Sequence, residues 1–228
     1  MKYKHLFFDL DHTLWDFEKN AEECLQEIFL RFQHHISPSL TFADFFSTFS
    51  VVNKALWHQL DLNLITHDYL RTTRFLTAFE KLDIKVSAEA SLAMNDTFLE
   101  LLPTKSHLIL GTEDLLENLR GKYQLHIISN GYLPIQTKKM KSGGILHFFD
   151  KIVTNDVANA RKPDRAIFDF ALQVSGASVS DALMIGDNAI ADIEGANKAG
   201  LKAIHLDETK QAEGAHVIYK LEDLHLHL

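Results

Sequence analysis

Glycine is missing from the first 110 residues of this 228-residue chain, and all ten glycines fall from Gly111 onward. Phosphate-cradling loops of the G-x-G-x-x-G and G-x-x-x-x-G-K-[ST] types need glycine where backbone closely approaches phosphate, so neither can follow the first apolar run. Cysteine is almost absent, and Cys24, the single one, has no partner for an internal disulfide. Positive charge is in deficit: 23 Lys and Arg stand against 31 Asp and Glu, a net charge of −8, which speaks against a surface built for nucleic acid polymers. An anionic small substrate then needs local positive charge or a metal ion. The Leu6–Phe8 run is too short for the core of a signal peptide, and no apolar stretch approaches the ~20 residues of a membrane helix. A cytoplasmic location with no membrane partner is the expectation.

What is present is an ordinary globular composition, 46% hydrophobic and 24% charged, able to bury a sizeable core. At ~150 residues per domain, the length predicts one domain carrying a large insertion. The apolar run from Leu6 to Leu10, interrupted by Asp9 and followed by Asp11, His12 and Thr13, reads as a buried strand ending in a polar loop. From Asp16 to about Leu102 the period becomes helical. Ala21, Cys24, Leu25, Ile28, Phe29 and Phe32 share one face, and Phe42, Phe45, Phe46 and Phe49 repeat the pattern. After a break near Asp61 to Asn63, Leu70, Phe75, Leu76, Phe79 and Leu82 predict a third helix, and Leu92, Leu99 and Leu102 a fourth, with Pro38 marking a turn and Pro103 an exit. Ten of the sixteen phenylalanines lie between Phe17 and Phe98, so this insert is expected to have its own core, as a helical cap.

Beyond Pro103 short apolar strands at Leu125–Ile128, Ile152–Val153, Leu183–Ile185 and Ala203–Ile204 alternate with helical patterns. The latter run over about Glu113–Arg120, Pro134–Lys141, Arg165–Val174 and Ala189–Ala199. Such alternation predicts a parallel sheet with right-handed crossovers, which the strand before Asp9 joins as a central member. The expected organisation is a catalytic core of residues 1–15 and 104–228, and an all-α four-helix cap of residues 16–103. The Leu-His-Leu-His-Leu tail containing His225 and His227 alternates like a short terminal strand. No pair of histidines has a zinc-binding spacing such as H-E-x-x-H.

Four polar clusters fall at or just past predicted strand ends, where open α/β sheets bind ligands. They are Asp9, Asp11 and Thr13; Ser129, Asn130 and Gly131; Arg161 and Lys162; and Gly186, Asp187, Asn188 and Asp192. Asp9 and Asp11 face one site only if the backbone turns directly after the strand. With Asp187 they set three carboxylates near one sheet edge, where mutual repulsion raises pKa values unless a cation sits between them. An oxygen-rich site of that kind suits Mg²⁺. Ser129-Asn130-Gly131 offers a hydroxyl, an amide and close backbone approach to phosphoryl oxygens, and Lys162 before Pro163 sets a positive charge on a stiffened loop. Taken singly, each acid reads as a helix cap, the Ser-Asn-Gly segment as a turn and the lysine as solvated surface. Their order singles them out: one cluster per successive strand end within one α/β domain.

At these residues the chain resembles the haloacid dehalogenase superfamily, specifically its Mg²⁺-dependent phosphatases with a helical cap inserted after the first motif. The stretches that carry the likeness are Phe8-Asp9-Leu10-Asp11-His12-Thr13-Leu14, Ile128-Ser129-Asn130-Gly131, Lys162-Pro163-Asp164, and Gly186-Asp187-Asn188 with Asp192. The resemblance implies a Rossmannoid three-layer α/β fold with an all-α cap. It implies that Asp9 is the nucleophile that becomes an aspartyl-phosphate, and that Asp11 protonates the leaving alcohol and then activates water. Thr13, Ser129, Asn130, Gly131 and Lys162 would hold the phosphoryl group, and Mg²⁺ would sit on Asp9, the main-chain carbonyl of Asp11, and Asp187. Asn188 and Asp192 would stand behind them, Asp192 fixing Lys162 or a metal-bound water. Dehalogenases of the superfamily lack an acid at the place of Asp11 and use no metal, so its presence favours phosphate over halide.

Within these phosphatases the chain is most similar to the bacterial pyrimidine 5′-nucleotidase type. The likeness runs through Asn53-Lys54-Ala55-Leu56-Trp57, Arg74-Phe75, and the segment from Ser129 through Gln136 to Phe148-Phe149-Asp150-Lys151-Ile152. It implies a nucleoside monophosphate as the small phosphorylated partner. A sugar-phosphate or phosphoglycolate phosphatase or mutase is the alternative within the superfamily, and a non-catalytic phospho-acceptor or binding module the alternative of another class. Selectivity would come from the cap, with Asn53, Trp57, His58, Arg71 and Arg74 as candidates. Two positions depart from the family pattern. His12 stands where many relatives carry Gly or an acid, and Trp15, a possible wall of the substrate entrance, where they carry an aliphatic residue or Phe.

Overall fold

The computed structural model describes residues 2–32, 40–62 and 64–228. The turn expected at Pro38 and the Asn63 end of the expected break lie outside them. The chain divides into two compact units, residues 18–105 and residues 1–17 with 106–228. No helix among the described residues is long and apolar enough to cross a membrane.

The 18–105 unit is built from α1 (Phe17–Phe32, whose first residue belongs to the other unit), α2 (Phe42–Asp61), α3 (His67–Lys81) and α4 (Ala88–Leu101). The last three begin at hydroxyl caps: Thr41, Thr66 and Ser87 accept from the backbone N–H three residues on. Their inward faces meet in a phenylalanine core, with ring centroids 5.1 Å apart for Phe45–Phe79, 4.8 Å for Phe49–Phe75 and 5.6 Å for Phe49–Phe98. Such offset and tilted pairs add to the area they bury. One expectation fails here. The buried face of α4 is Ser91, Met94, Asn95 and Phe98, with Leu92 and Leu99 only partly buried. Asn95 takes an inward position because Arg74 of α3 donates to it at 2.8 Å.

The other unit carries one six-stranded sheet: β1 (His5–Phe8), β2 (Gln124–Ser129), β3 (Lys151–Thr154), β4 (Ala182–Gly186), β5 (Lys202–Leu206) and β6 (Val217–Ile218). The order is β3-β2-β1-β4-β5-β6, and every pair is parallel. Between the strands run α5 (Thr112–Leu119), α6 (Leu133–Ser142), α7 (Asn155–Ala158), α8 (Arg165–Ser175) and α9 (Gly195–Ala199). The fold is the expected α/β Rossmannoid sheet. All four residues of β1 are buried, as befits a central strand covered on both faces. Phe8 lies opposite Ile127 on one side and Ile185 on the other. The strand order reverses between β1 and β4, and such a switch point opens the crevice where doubly wound sheets bind ligands.

Two further local expectations are corrected. The helix expected over Ala189–Ala199 is a π-helical turn, Ala189–Glu194, followed by the short α9. The C-terminal tail is no strand: Leu221–Leu226 forms a 3₁₀ helix in which Leu221 and Leu224 are buried and Leu226 is exposed. Burial every third residue matches three residues per turn, and the alternation in the sequence is incidental to it.

Candidate active site

The chain leaves β1 at Asp9, whose N–H donates to the carbonyl of Ile185 at 2.9 Å. The ladder to β4 therefore continues one residue past the strand and fixes the Asp9 backbone. Its carboxylate is buried, and Oδ1 accepts from Lys162 Nζ at 2.5 Å. Lys162 is buried too. Its Nζ also pairs with Asp192 Oδ1 at 2.6 Å and donates to the carbonyl of Ile128 at 2.8 Å. Asn130 straps the backbone that presents this lysine: its Nδ2 donates to the Lys162 carbonyl at 2.9 Å, and its Oδ1 accepts from the Lys162 N–H at 2.7 Å. The Asn130 side chain is thus spent on holding Lys162, and the backbone after Ser129 is the part the resemblance assigns to the phosphoryl group.

Past β4, Asp187 accepts from Thr13 Oγ1 at 2.9 Å, so Thr13 orients a carboxylate. Asn188 caps the π-helical turn, its Oδ1 accepting from the N–H groups of Ile190 and Ala191. That turn brings Asp192 back beneath the strand end, where Oδ2 accepts from the Asn188 N–H at 3.0 Å. Gly186 permits this return, since a methyl group there would lie 2.3 Å from Asp192 Oδ2. Oxygens of Asp9, Asp187 and Asp192 come within 4.8 Å of one another.

The electrostatics follow from that crowding. Burial, reinforced by Asp192 and offset by Lys162, pushes Asp9 up to about 7. Burial and the neighbouring Asp9 charge push Asp187 up to about 6. Asp192 is raised by burial and Asp187 against the pull of Lys162. Burial acts against the Lys162 charge, but the two carboxylates outweigh it and hold the ammonium well above the usual lysine range.

Asp11 stands apart from this cluster. Its carboxylate accepts from Lys139 Nζ at 2.7 Å on Oδ1 and 2.9 Å on Oδ2, and from Gln136 Nε2 at 2.8 Å on Oδ2. Burial alone would raise Asp11, but the Lys139 charge and these hydrogen bonds overcome it and hold the group below the usual carboxylate range. Gln136 Nε2 also donates to Ser129 Oγ at 2.6 Å, and Ser129 Oγ accepts from the Gly131 N–H at 3.1 Å.

A family model for haloacid dehalogenase-like hydrolases matches residues 3–200. The chain belongs to that family. It is 31% identical to the pyrimidine 5′-nucleotidase PynA of Streptococcus pneumoniae, over 98% of this chain and 94% of that one. It is also 31% identical to the pyrimidine 5′-nucleotidase YjjG of Escherichia coli, over 99% and 96%. Among solved structures, the magnesium-bound HAD-hydrolase YfnB of Bacillus subtilis superposes with a TM-score of 0.89 at 26% identity, covering 100% of this chain and 99% of that one.

The donor set of this haloacid dehalogenase-like hydrolase fits a divalent cation. Among the described residues, no hydrogen-bond donor reaches Oδ2 of Asp9 or Oδ2 of Asp187. Asp9, buried, and Asp187, partly buried, are carboxylates whose pKa values burial and neighbouring acids push up, and both gain from a cation between them. Because protons compete for the same oxygens, the thermal shift produced by added Mg²⁺ is expected to be larger at about pH 8 than at about pH 5. The sign follows from the acids. Their folded pKa values lie above 3.8, so ionising them costs the metal-free fold stability as pH rises from there through about 7, and Mg²⁺ returns it. Equal shifts at both pH values in a thermal melt would refute this.

The remaining candidates are distributed unevenly. In the sheet unit, Trp15 is fully buried, its indole N–H without a hydrogen-bond partner among the described residues and its ring beneath Lys139 Nζ at 4.7 Å. His12 adopts a left-handed φ of 65° and packs on Phe17, a conformation glycine takes without strain. In the helical unit, Arg74 is buried, donates to Asn95 and lies over the Phe98 ring at 4.5 Å. Burial pulls its pKa down. Asn53 is buried with Oδ1 unpartnered. Trp57 is half-buried against His67, His58 is exposed, and Arg71 is spent on a surface ion pair with Asp96 at 2.9 Å.

Three residues that sequence reasoning gave no role at the site stand in it. Lys139 and Gln136 hold Asp11, and the only signal for them is their i, i+3 spacing on one helix face. His205 Nε2 donates to the Asp187 carbonyl at 2.8 Å, a contact no local pattern announces. Cys24 is no nucleophile, since burial pushes its thiol up to about 12.

Proposed function

We propose that the chain is a Mg²⁺-dependent phosphomonoesterase working through an aspartyl-phosphate on Asp9, with nucleoside 5′-monophosphates as its substrates. The observation that carries this is the state of Asp9: a buried carboxylate at the switch point, one oxygen held by Lys162 and the other without a donor among the described residues. That oxygen attacks phosphorus, and the bond from phosphorus to the leaving oxygen breaks. Asp11 passes a proton to the departing alcohol. Since Lys139 keeps Asp11 ionised, that proton arrives with the substrate monoanion, whose last phosphate proton has a pKa of roughly 6. Asp11 then takes a proton from the water that attacks the aspartyl-phosphate, which releases inorganic phosphate and restores Asp9. Lys162 and Ser129 Oγ face the charge on the transferring group. Asp9, Asp187 and the Asp11 main-chain carbonyl would hold Mg²⁺, which would supply charge neutralisation at the phosphoryl group.

These groups read only the phosphoryl end, so the choice of leaving group is assigned to residues other than these. Arg74 and Asn53 are the residues proposed for it: among the described residues, Arg74 is a buried cation with Asn95 but no carboxylate as partner, and Asn53 Oδ1 is a buried acceptor without a donor. The nucleotide assignment is supported by the two curated relatives of near-equal length, PynA and YjjG, which are pyrimidine 5′-nucleotidases.

Initial rates with Mg²⁺ across nucleoside monophosphates, sugar phosphates and phosphoglycolate test this reading. At least one pyrimidine nucleoside monophosphate is expected to exceed every sugar phosphate in kcat/KM by about tenfold or more, the difference that ~1.4 kcal/mol of selective binding provides. A sugar phosphate at the head of the series would replace the nucleotide assignment. Metal-independent release of halide from haloacids, with no phosphatase activity, would remove the phosphatase reading.

A further inference from the structure

We propose that Lys139, together with Gln136, positions the proton-transferring carboxylate of Asp11, an inference that rests on the phosphatase reading above. Lys139 projects from α6 with only 4% of its surface exposed. Lysines are seldom buried so deeply without a partner. Among the described residues its one acidic partner is Asp11, and Nζ reaches both carboxylate oxygens, at 2.7 and 2.9 Å. The ammonium is itself confined between aromatic faces, 4.7 Å from the Trp15 centroid and 5.7 Å from that of Phe17. Cation–π contact in a desolvated place favours charge there. Trp15 therefore acts on the site through Lys139.

Gln136, one helical turn earlier on α6, completes the arrangement. Its Nε2 is shared between Asp11 Oδ2 and Ser129 Oγ, at 2.8 and 2.6 Å. The two groups that must meet the phosphoryl centre from different strand ends are thus tied to one amide. Its position is determined by burial, since Gln136 is fully buried and a Cβ on Gly131 would fall 2.6 Å from its amide carbon. The consequence for Asp11 is geometric. The Asp11 carboxylate is kept out of the group of acids formed by Asp9, Asp187 and Asp192. Lys139 holds it instead on the Ser129 side. A proton transfer gains its rate only when donor and acceptor stay within hydrogen-bond reach.

The test uses the full-length protein with Mg²⁺ and two substrates that differ in leaving group. One is p-nitrophenyl phosphate, whose phenolate leaves with little need of a proton; the other is an alkyl phosphate ester that the wild type hydrolyses. The parameter read is kcat/KM, which is blind to breakdown of the aspartyl-phosphate when leaving-group departure is irreversible. Lys139→Met is expected to lower kcat/KM for the alkyl ester by about 100-fold, and for the aryl ester by less than about tenfold, the scale of general acid–base catalysis. Lys139→Arg, which keeps the charge, is expected to recover most of the loss. In an Asp11→Asn background Lys139→Met is expected to cost nothing more, because the pair acts as one unit.

Equal losses for both esters, an additive loss in the double variant, or faster turnover in Lys139→Met would each overturn the proposal. Should Lys139→Met not fold, the Gln136→Leu variant carries the same comparison. Because any alkyl phosphate serves, failure of the nucleotide assignment leaves the test intact, and absence of all phosphatase activity in the wild type identifies failure of the parent reading.

Discussion

Asp9→Asn is expected to remove turnover, leaving less than about 10⁻⁴ of the wild-type kcat, on the scale seen when a nucleophile is deleted. An amide oxygen does not form the acyl phosphate, and nothing else in the site replaces it. Asp187 is oriented by Thr13, Asp192 is spent on Lys162 and on the Asn188 N–H, and Asp11 is held by α6 through Lys139 and Gln136. The same substitution is expected to leave the fold intact. Asp9 is a carboxylate whose pKa burial has pushed up to about 7, so above that pH the native state carries its charge at a cost. A neutral isostere removes that cost, while Lys162 keeps Asp192 as its counter-ion. Phosphate release and a thermal melt at about pH 8 check the two halves together, with kcat lost and Tm changed by no more than about 3 °C. Loss of both would mean that Asp9 is structural.

The physical origin of each feature explains how much of this was legible in the sequence. The central strand was, because its core-facing run is interrupted by an acid at the place where the sheet ends, and burial on both faces leaves no polar residue elsewhere in β1 except His5. The acids past β1 and β4 were legible as a group, because parallel strands share one C-terminal edge and residues just beyond it must converge. The four-helix arrangement was legible in its phenylalanine spacing, but the inward face of α4 was not. Ser91 and Asn95 are polar, and Asn95 faces inward only because Arg74, 21 residues away, donates to it. The same limit hides the α6 contribution. Lys139 and Asp11 are separated by 128 residues, so periodicity, which reports one element at a time, carries no trace of their pairing. The tail failed for a different reason: the buried leucines are Leu221 and Leu224, three apart, and the alternation of Leu224, Leu226 and Leu228 masks that period.

Lys162→Met is the substitution in which activity and stability are expected to part company with pH. The lysine neutralises two buried carboxylates, Asp9 at 2.5 Å and Asp192 at 2.6 Å. Deleting one partner of a buried ionic cluster typically costs ~3–5 kcal/mol, because the remaining charge is left uncompensated. Here the remaining charges are acids already raised above 3.8, and without Lys162 both rise further. An acid whose folded pKa exceeds its unfolded value takes stability from the fold as pH climbs past the unfolded value, and the penalty grows until the folded pKa is reached. The deficit of the variant is therefore expected to be small at about pH 4, where protonated acids no longer need a cation, and full by about pH 8. At the acid end wild-type Lys162 is itself a buried ammonium without counter-ions, so the difference there vanishes or reverses. Chemical denaturation with and without the substitution across that range reads the difference directly. Activity behaves otherwise. At saturating Mg²⁺ the metal supplies part of the missing positive charge to the resting site, but the ammonium that meets charge developing on the phosphoryl group is gone. The kcat per folded molecule is expected to fall by about 10²–10³ at about pH 8, where Asp9 is ionised, the cost of removing one preorganised electrostatic donor. A kcat per folded molecule equal to that of the wild type would make Lys162 a structural counter-ion and nothing more.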